Sequence, residues 1–181
     1  MIGGWLWQPY EALARQMSLR YGVAPELILA VMGVESAFSP NAYRAEPQIN
    51  DGSRGLMQIL LGTARALGFQ GPPSQLFEAP VNADLGTKYL ARQLTRYNGS
   101  MADAVSAYNG GHALRVAGGY ANQAYVDRVL SAWVEFAAAL APKGEGSSDP
   151  PGGSPAPAGA ASQLGVGLTL GVVAFVLWRA L

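Results

Sequence analysis

The sequence predicts an all-α domain joined by a linker to one apolar C-terminal helix. Three observations carry this. Up to about Ala141 the apolar residues recur at helical spacing, and no stretch alternates with period two. Pro142 to Gly159 is a run of proline, glycine, serine and charged residues with almost nothing apolar to bury, as in an extended linker. Ala160 to Trp178 carries no charge, and Arg179 follows it. The expected organisation is a folded domain over 1–141, a flexible linker over 142–159 and a transmembrane anchor over 160–181.

The elements follow in order. Met1 to Trp7 is apolar but short, with no basic segment and no A-x-A site, so it does not read as a signal peptide. Trp5 and Trp7 are expected to pack on the domain. Pro9 to Tyr21 reads as a first helix ended by Gly22, and Pro25 opens a second, since a helix tolerates proline in its first turn. Val81 to Tyr97 forms a longer helix, stopped at Asn98-Gly99. Ser100 caps a helix over Met101 to Tyr108, with Asp103 in its first turn. Tyr120 to Leu140 places Val126, Val129, Leu130, Trp133 and Phe136 at helical spacing.

At about 1.5 Å per residue, Ala160 to Trp178 just spans a bilayer core of about 30 Å. Trp178 and Arg179 suit the headgroup zone. Membrane lipid is therefore an expected partner of Ala160 to Trp178. Gly167 and Gly171 have the spacing of a helix-packing motif, which would pair two copies in a homo-oligomer, although glycine is common in such helices.

Composition removes several chemistries. Up to Leu140 there are ten acidic and ten basic residues, interspersed, so no basic face is expected for nucleic acid. The absence of cysteine removes disulfides, thiolate nucleophiles and thiolate zinc sites. The single histidine, His112, follows Gly110-Gly111 with no serine motif around it and reads as an ordinary loop or helix-start residue. No metal and no cofactor is expected. Carboxylates, hydroxyls, amides and backbone groups remain.

One carboxylate stands out. On the second helix Leu27, Val31, Val34 and Phe38 form a core stripe, and Ile28, Met32 and Glu35 a neighbouring one. At about 100° per residue Glu35 lies at the edge of the buried face. Partial burial disfavours a carboxylate and raises its pKa. A glutamate raised toward neutrality can protonate a glycosidic oxygen. Position alone leaves a solvated helix glutamate as a fair alternative.

Motifs decide between the two. Val34-Glu35-Ser36-Ala37-Phe38-Ser39-Pro40-Asn41-Ala42, then Gly55-Leu56-Met57-Gln58-Ile59, then Ala107-Tyr108-Asn109-Gly110-Gly111, stand in this order. They resemble the three signatures of the Slt-type lytic transglycosylases, a family with the lysozyme-like fold. Leu76-Phe77-Glu78, Asn82, Gly86, Tyr89 and Leu90 resemble the family's next segment, and Tyr125-Val126 with Arg128-Val129-Leu130 its closing helix. The resemblance runs from about Tyr10 to Leu140.

The resemblance implies an all-α lysozyme-like domain that cleaves peptidoglycan glycan strands, with Glu35 as its one catalytic acid and base. Glu35 would protonate the oxygen between MurNAc and GlcNAc. It would then take the proton of the MurNAc 6-hydroxyl, closing a 1,6-anhydro ring. Ser36 would hold the Glu35 region or be a packing serine. Gly55 would let the backbone approach the sugar. Met57 would line the cleft or pack in the core, and Gln58 would pair with an N-acetyl or hydroxyl group. Tyr108 would lie close to the acid, Asn109 would bind sugar or end its helix, and Tyr125 would contact the glycan.

Two departures stand beside the match. Ala121 and Asn122 occupy positions where many members carry Glu-Thr. The connection from Ser39 to Arg54 is longer than usual and holds Glu46 and Asp51. Asp51 is either a turn residue of Asn50-Asp51-Gly52-Ser53 or a second carboxylate holding a water, as in a goose-type muramidase. A non-catalytic glycan-binding or membrane-disrupting lysis protein is the third reading. A tail-anchored domain without a signal peptide would face the cytoplasm, away from peptidoglycan. A phage-encoded enzyme, carried in a membrane-containing virion or meeting the wall at lysis, escapes that difficulty and would act in the periplasm or cell wall.

Overall fold

The computed structural model describes residues 6–142. Trp5, the linker beyond Pro142 and the apolar segment 160–181 lie outside the described residues. Among those described, no helix is long and apolar enough to cross a membrane.

Among the described residues six helices carry the fold: α1 (Gln8–Tyr21), α2 (Pro25–Ser36), α3 (Leu61–Ala66), α4 (Ala79–Arg96), α5 (Met101–Gly110) and α6 (Gln123–Leu140). The punctuation expected from sequence sets most of their ends. Gly22, at φ 68°, closes α1 and returns its N–H to the Ser18 carbonyl. Pro25 stands in the first turn of α2. The Ser100 hydroxyl accepts from the Asp103 N–H at the start of α5. Asn98 and Gly99, both at positive φ, turn the chain after α4.

The central helix is α2. Leu27 to Met32 are all buried, so this stretch is apolar on every side and shows no single stripe. The expected stripe of Leu27, Val31, Val34 and Phe38, with Ile28 and Met32 beside it, does face the core, but the buried surface is wider: Leu29 and Ala30 are as deep, and Val34 is half-buried. The cause is packing on several sides, with α6 as the most extensive neighbour and α1 next to it. Glu35 and Ser36 sit where this core helix emerges.

The helix ends in an unusual turn. Ala37 and Phe38 follow at φ 50° and 64°, both left-handed and neither glycine. Phe38 holds the turn by burying its ring between Tyr10 (6.1 Å, stacked) and Phe136 (6.1 Å, edge-on). Trp7 meets Phe136 edge-on at 5.6 Å, so it packs on the domain as expected.

The all-α expectation needs correction. Among the described residues two small sheets interrupt the helices: antiparallel β1 (Tyr43–Glu46), β2 (Asp51–Arg54) and β3 (Ile59–Leu60), then a hairpin of β4 (Arg115–Val116) and β5 (Gly119–Tyr120). Tyr43 pairs with Arg54 and Glu46 with Asp51, around a 3-10 turn at Pro47–Ile49. β1 is mostly exposed and the buried residues of β2 are Gly52 and Ser53, so neither strand shows an alternation of apolar residues. Side chains hold them instead. Tyr43 lies over Gly52, where a Cβ would strike its ring, and its ring meets the Arg54 guanidinium at 5.4 Å. Asp103, buried under the second hairpin, accepts from Tyr120 (2.9 Å) and pairs with Arg115. The domain is mostly helical, with α3 and the 3-10 segment Pro73–Phe77 as additions the sequence reading lacked.

Candidate active site

A cleft of about 380 Å³ runs between the β1–β2 hairpin and the end of α5. Glu35 lines it from α2, Arg44, Glu46 and Ile49 from the hairpin region, Gln58 from the following turn, and Tyr108 and Asn109 from α5. Residues from all three signatures therefore share one cavity.

Glu35 is half-buried, with its Oε1 accepting a 2.6 Å hydrogen bond from the Tyr125 hydroxyl. Its pKa is raised from the ordinary glutamate value. Burial drives the rise. The Tyr125 bond and the charges of Arg44 and Arg128 pull the other way without cancelling it. The Tyr125 hydroxyl is itself pushed far up by burial and by the neighbouring carboxylate, so it stays protonated as a donor. Such a carboxyl can give a proton and then hold the resulting charge.

Ser36 fixes the end of α2. Its hydroxyl lies 2.8 Å from the Leu56 carbonyl and 3.1 Å from that of Met32, tying the acid's helix to the Gly55–Gln58 turn. The same turn is gripped from α4. Asn82, fully buried, accepts from the Met57 N–H and donates to the carbonyls of Leu76 and Arg54, all at 2.7 Å. From α5, the Tyr108 hydroxyl donates to the Met57 carbonyl at 2.8 Å.

These contacts reassign several expected roles. Met57 does not line the cleft: its side chain is fully buried and packs on Gly86, where a Cβ would collide with it. Gly55 faces protein, not the cavity. At φ 75° it lies under Leu76 and Asn82, and a Cβ would strike both. Tyr108 does lie near the acid, since the Glu35 charge helps raise its pKa after burial does. Its proton goes to Met57, however, and it is Tyr125 that bonds Glu35.

Gln58 reaches the cleft with its amide already engaged. Nε2 donates to the carbonyls of Ala42 (3.1 Å) and Gly55 (2.9 Å), and Oε1 accepts from Ser53 (3.0 Å). Both donor hydrogens are used, which leaves one acceptor position for a ligand. Gln58 thus clasps the foot of the hairpin. Asn109 is exposed on the cleft rim and accepts from Asn122 at 3.1 Å. Asn122 also exchanges two bonds with Ser106, which links α5 to the start of α6. His112 lies exposed in the loop after α5.

Asp51 is committed elsewhere. Its carboxylate takes the N–H groups of Gly52, Leu61 and Gly62 and one Arg54 donor, so it caps α3 from the hairpin. Burial opposes its charge, but the bonds from Gly62, Gly52, Arg54 and Leu61 outweigh it and hold the pKa below the ordinary aspartate value. Glu46, paired with Arg44 at 2.7 Å, is the second carboxylate of the cleft. Neither Glu46 nor Arg44 is marked by a sequence motif, because their place in the cleft depends on the hairpin register.

Comparison with known proteins shows the family and the fold. The family description "Transglycosylase SLT domain" matches residues 12–124. Among solved structures, an inactive glutamate-to-glutamine mutant of the lytic transglycosylase Slt from Pseudomonas aeruginosa is similar at 27% identity and TM-score 0.61, over 71% of this chain and 24% of that one. The 70 kDa soluble lytic transglycosylase from Escherichia coli shares the fold at 23% identity and TM-score 0.52, over 70% of this chain and 20% of that one. A complex of the 70 kDa soluble lytic transglycosylase with bulgecin A matches at 22% identity and TM-score 0.50, with the same coverage. The match thus takes in less than a quarter of the length of each of these proteins.

Proposed function

The chain belongs to the transglycosylase SLT family, and from that premise we propose that it is a peptidoglycan lytic transglycosylase cutting the β-1,4 bond between MurNAc and GlcNAc. The observation that carries the reading is Glu35: a half-buried carboxyl of raised pKa, in a cleft, bonded by Tyr125. Protonated Glu35 gives its proton to the glycosidic oxygen, and the GlcNAc side leaves. Positive charge grows at C1 of MurNAc. The Glu35 carboxylate, steadied by the Tyr125 donor and the field of Arg128, then takes the proton of the 6-hydroxyl as that oxygen bonds C1. The product carries a 1,6-anhydro ring and the enzyme regains its proton. Ser36, Gln58 and Tyr108 hold the cleft in shape, and Asn109 offers its amide at the rim.

Glu46 supports one competing reading. It puts a second carboxylate in the same cleft, where a hydrolase would hold a water. Its pairing with Arg44 and the commitment of Asp51 to α3 favour the route that needs no water.

The segment Ala160 to Trp178 is the proposed membrane anchor, on the strength of its uncharged length alone. The proposed setting is local opening of the wall by a phage at infection or lysis. Finding the protein in purified virions tests that setting. The activity is tested with Glu35→Gln on purified peptidoglycan. Loss of cleavage by about a hundredfold or more is expected of a lost general acid, and undiminished cleavage would remove Glu35 from the mechanism.

A further inference from the structure

We propose that Arg44 is a specificity-determining residue that binds a carboxylate borne on the lactyl arm of the glycan strand. The carboxylate is the lactyl group's own or one from the peptide attached there. The inference rests on the reading of the cleft as a peptidoglycan-cleaving site and adds a charged recognition point to it.

Arg44 lines the cleft with Glu35, and its charge is felt by that acid. Its Nε donates to Glu46 at 2.7 Å. Neither Nη group has a hydrogen-bond partner among the described residues, and 67% of the side chain is exposed. A guanidinium carries five donors in a planar fork that fits a carboxylate bidentately, so most of its capacity is unspent. The Glu46 pair orients the fork yet is exposed enough to yield or to share, since such surface pairs are weak.

The platform beneath Arg44 is fixed. Gln58 ties the chain just before β1 to the turn after β2, through the Ala42 and Gly55 carbonyls. Asp51, paired with Glu46 in the sheet, pins the far end of β2 to the first turn of α3. An arginine on a mobile loop would lose ordering entropy when it gripped an anion. This one is held in register beside the acid.

Binding there also touches the chemistry. The charged and titratable groups around Glu35 and its cleft are Arg44 and Glu46 from β1, Tyr89 from α4, Tyr108 from α5, and Tyr125 and Arg128 from α6. The Arg44 charge favours ionised Glu35. A carboxylate seated on Arg44 cancels that field, so the acid is better protonated when a strand is in place.

The test uses the full chain in detergent and three substrates: strands bearing peptides, peptide-free strands with a free lactyl carboxylate, and peptide-free strands with that carboxylate converted to an amide. Wild type is expected to prefer a carboxylate-bearing strand over the amidated one by about ten- to a hundredfold in kcat/KM. Arg44→Gln should bring that ratio close to one, and Arg44→Lys should keep part of it. A ratio lost on peptide-free strands assigns the lactyl carboxylate, and one lost on peptide-bearing strands alone assigns the peptide. Arg44→Gln should also move the basic limb of the kcat/KM profile to higher pH, which a purely structural arginine would not. A wild type without preference, or an Arg44→Gln variant that keeps it, overturns the proposal. Glu35→Gln run alongside separates the two failures. If it still cleaves, the reading of the cleft fails; if it is dead while Arg44→Gln keeps the preference, the Arg44 assignment alone fails.

Discussion

At the residue scale, Glu35 works against the stability of the fold that holds it. Its pKa is higher folded than unfolded, so the folded state binds the proton more tightly. Its cost is absent below the unfolded value near 4.5 and grows as pH rises through the folded value. Glu35→Gln should therefore melt at a higher temperature than wild type at neutral pH, with the gap closing below about pH 4.5; a gap that does not depend on pH contradicts the burial argument. Tyr125→Phe acts in a defined direction. The lost bond favoured the ionised acid, so Glu35 should titrate higher and the basic limb of kcat/KM should shift to higher pH. A downward shift would mean that Tyr125 stabilises the protonated form.

At the scale of elements, the Gly55–Gln58 turn is the junction of the site. It receives Ser36 from α2, Asn82 from α4 and Tyr108 from α5. Asn82→Ala would strip the partners from three backbone groups, at about 1 kcal/mol or more each, so a loss of about 3 kcal/mol is expected in denaturant unfolding. A loss below about 1 kcal/mol would show that the turn is held otherwise. The helices were legible because glycine, proline and serine mark their ends by local chemistry: Gly22, Pro25 and Ser100 act where the sequence places them. The hairpins were not, because Tyr43, Gly52 and Asp103 hold them through contacts distant in sequence. The signatures located Glu35, Gln58, Tyr108 and Asn109 in one cleft, yet similarity of motif does not say which way a side chain points. Met57 and Gly55 turn inward, and the hydroxyl bonded to the acid is that of Tyr125, while the nearby Tyr108 donates to Met57.

At the scale of the whole molecule, a described domain that matches the family over residues 12–124 precedes the proposed linker and anchor. If Ala160 to Trp178 spans a bilayer, the full chain should float with lipid vesicles, and residues 1–142 should stay behind while still cleaving detached glycan strands. Flotation of the shortened chain would place the membrane contact within the folded domain. Which bond chemistry Glu35 performs is read from the mass spectrum of a glycan digest made with the full chain. The expected products are lighter by one water and end in 1,6-anhydro-MurNAc with no reducing end. Products ending solely in reducing MurNAc would contradict this and make the enzyme a hydrolase.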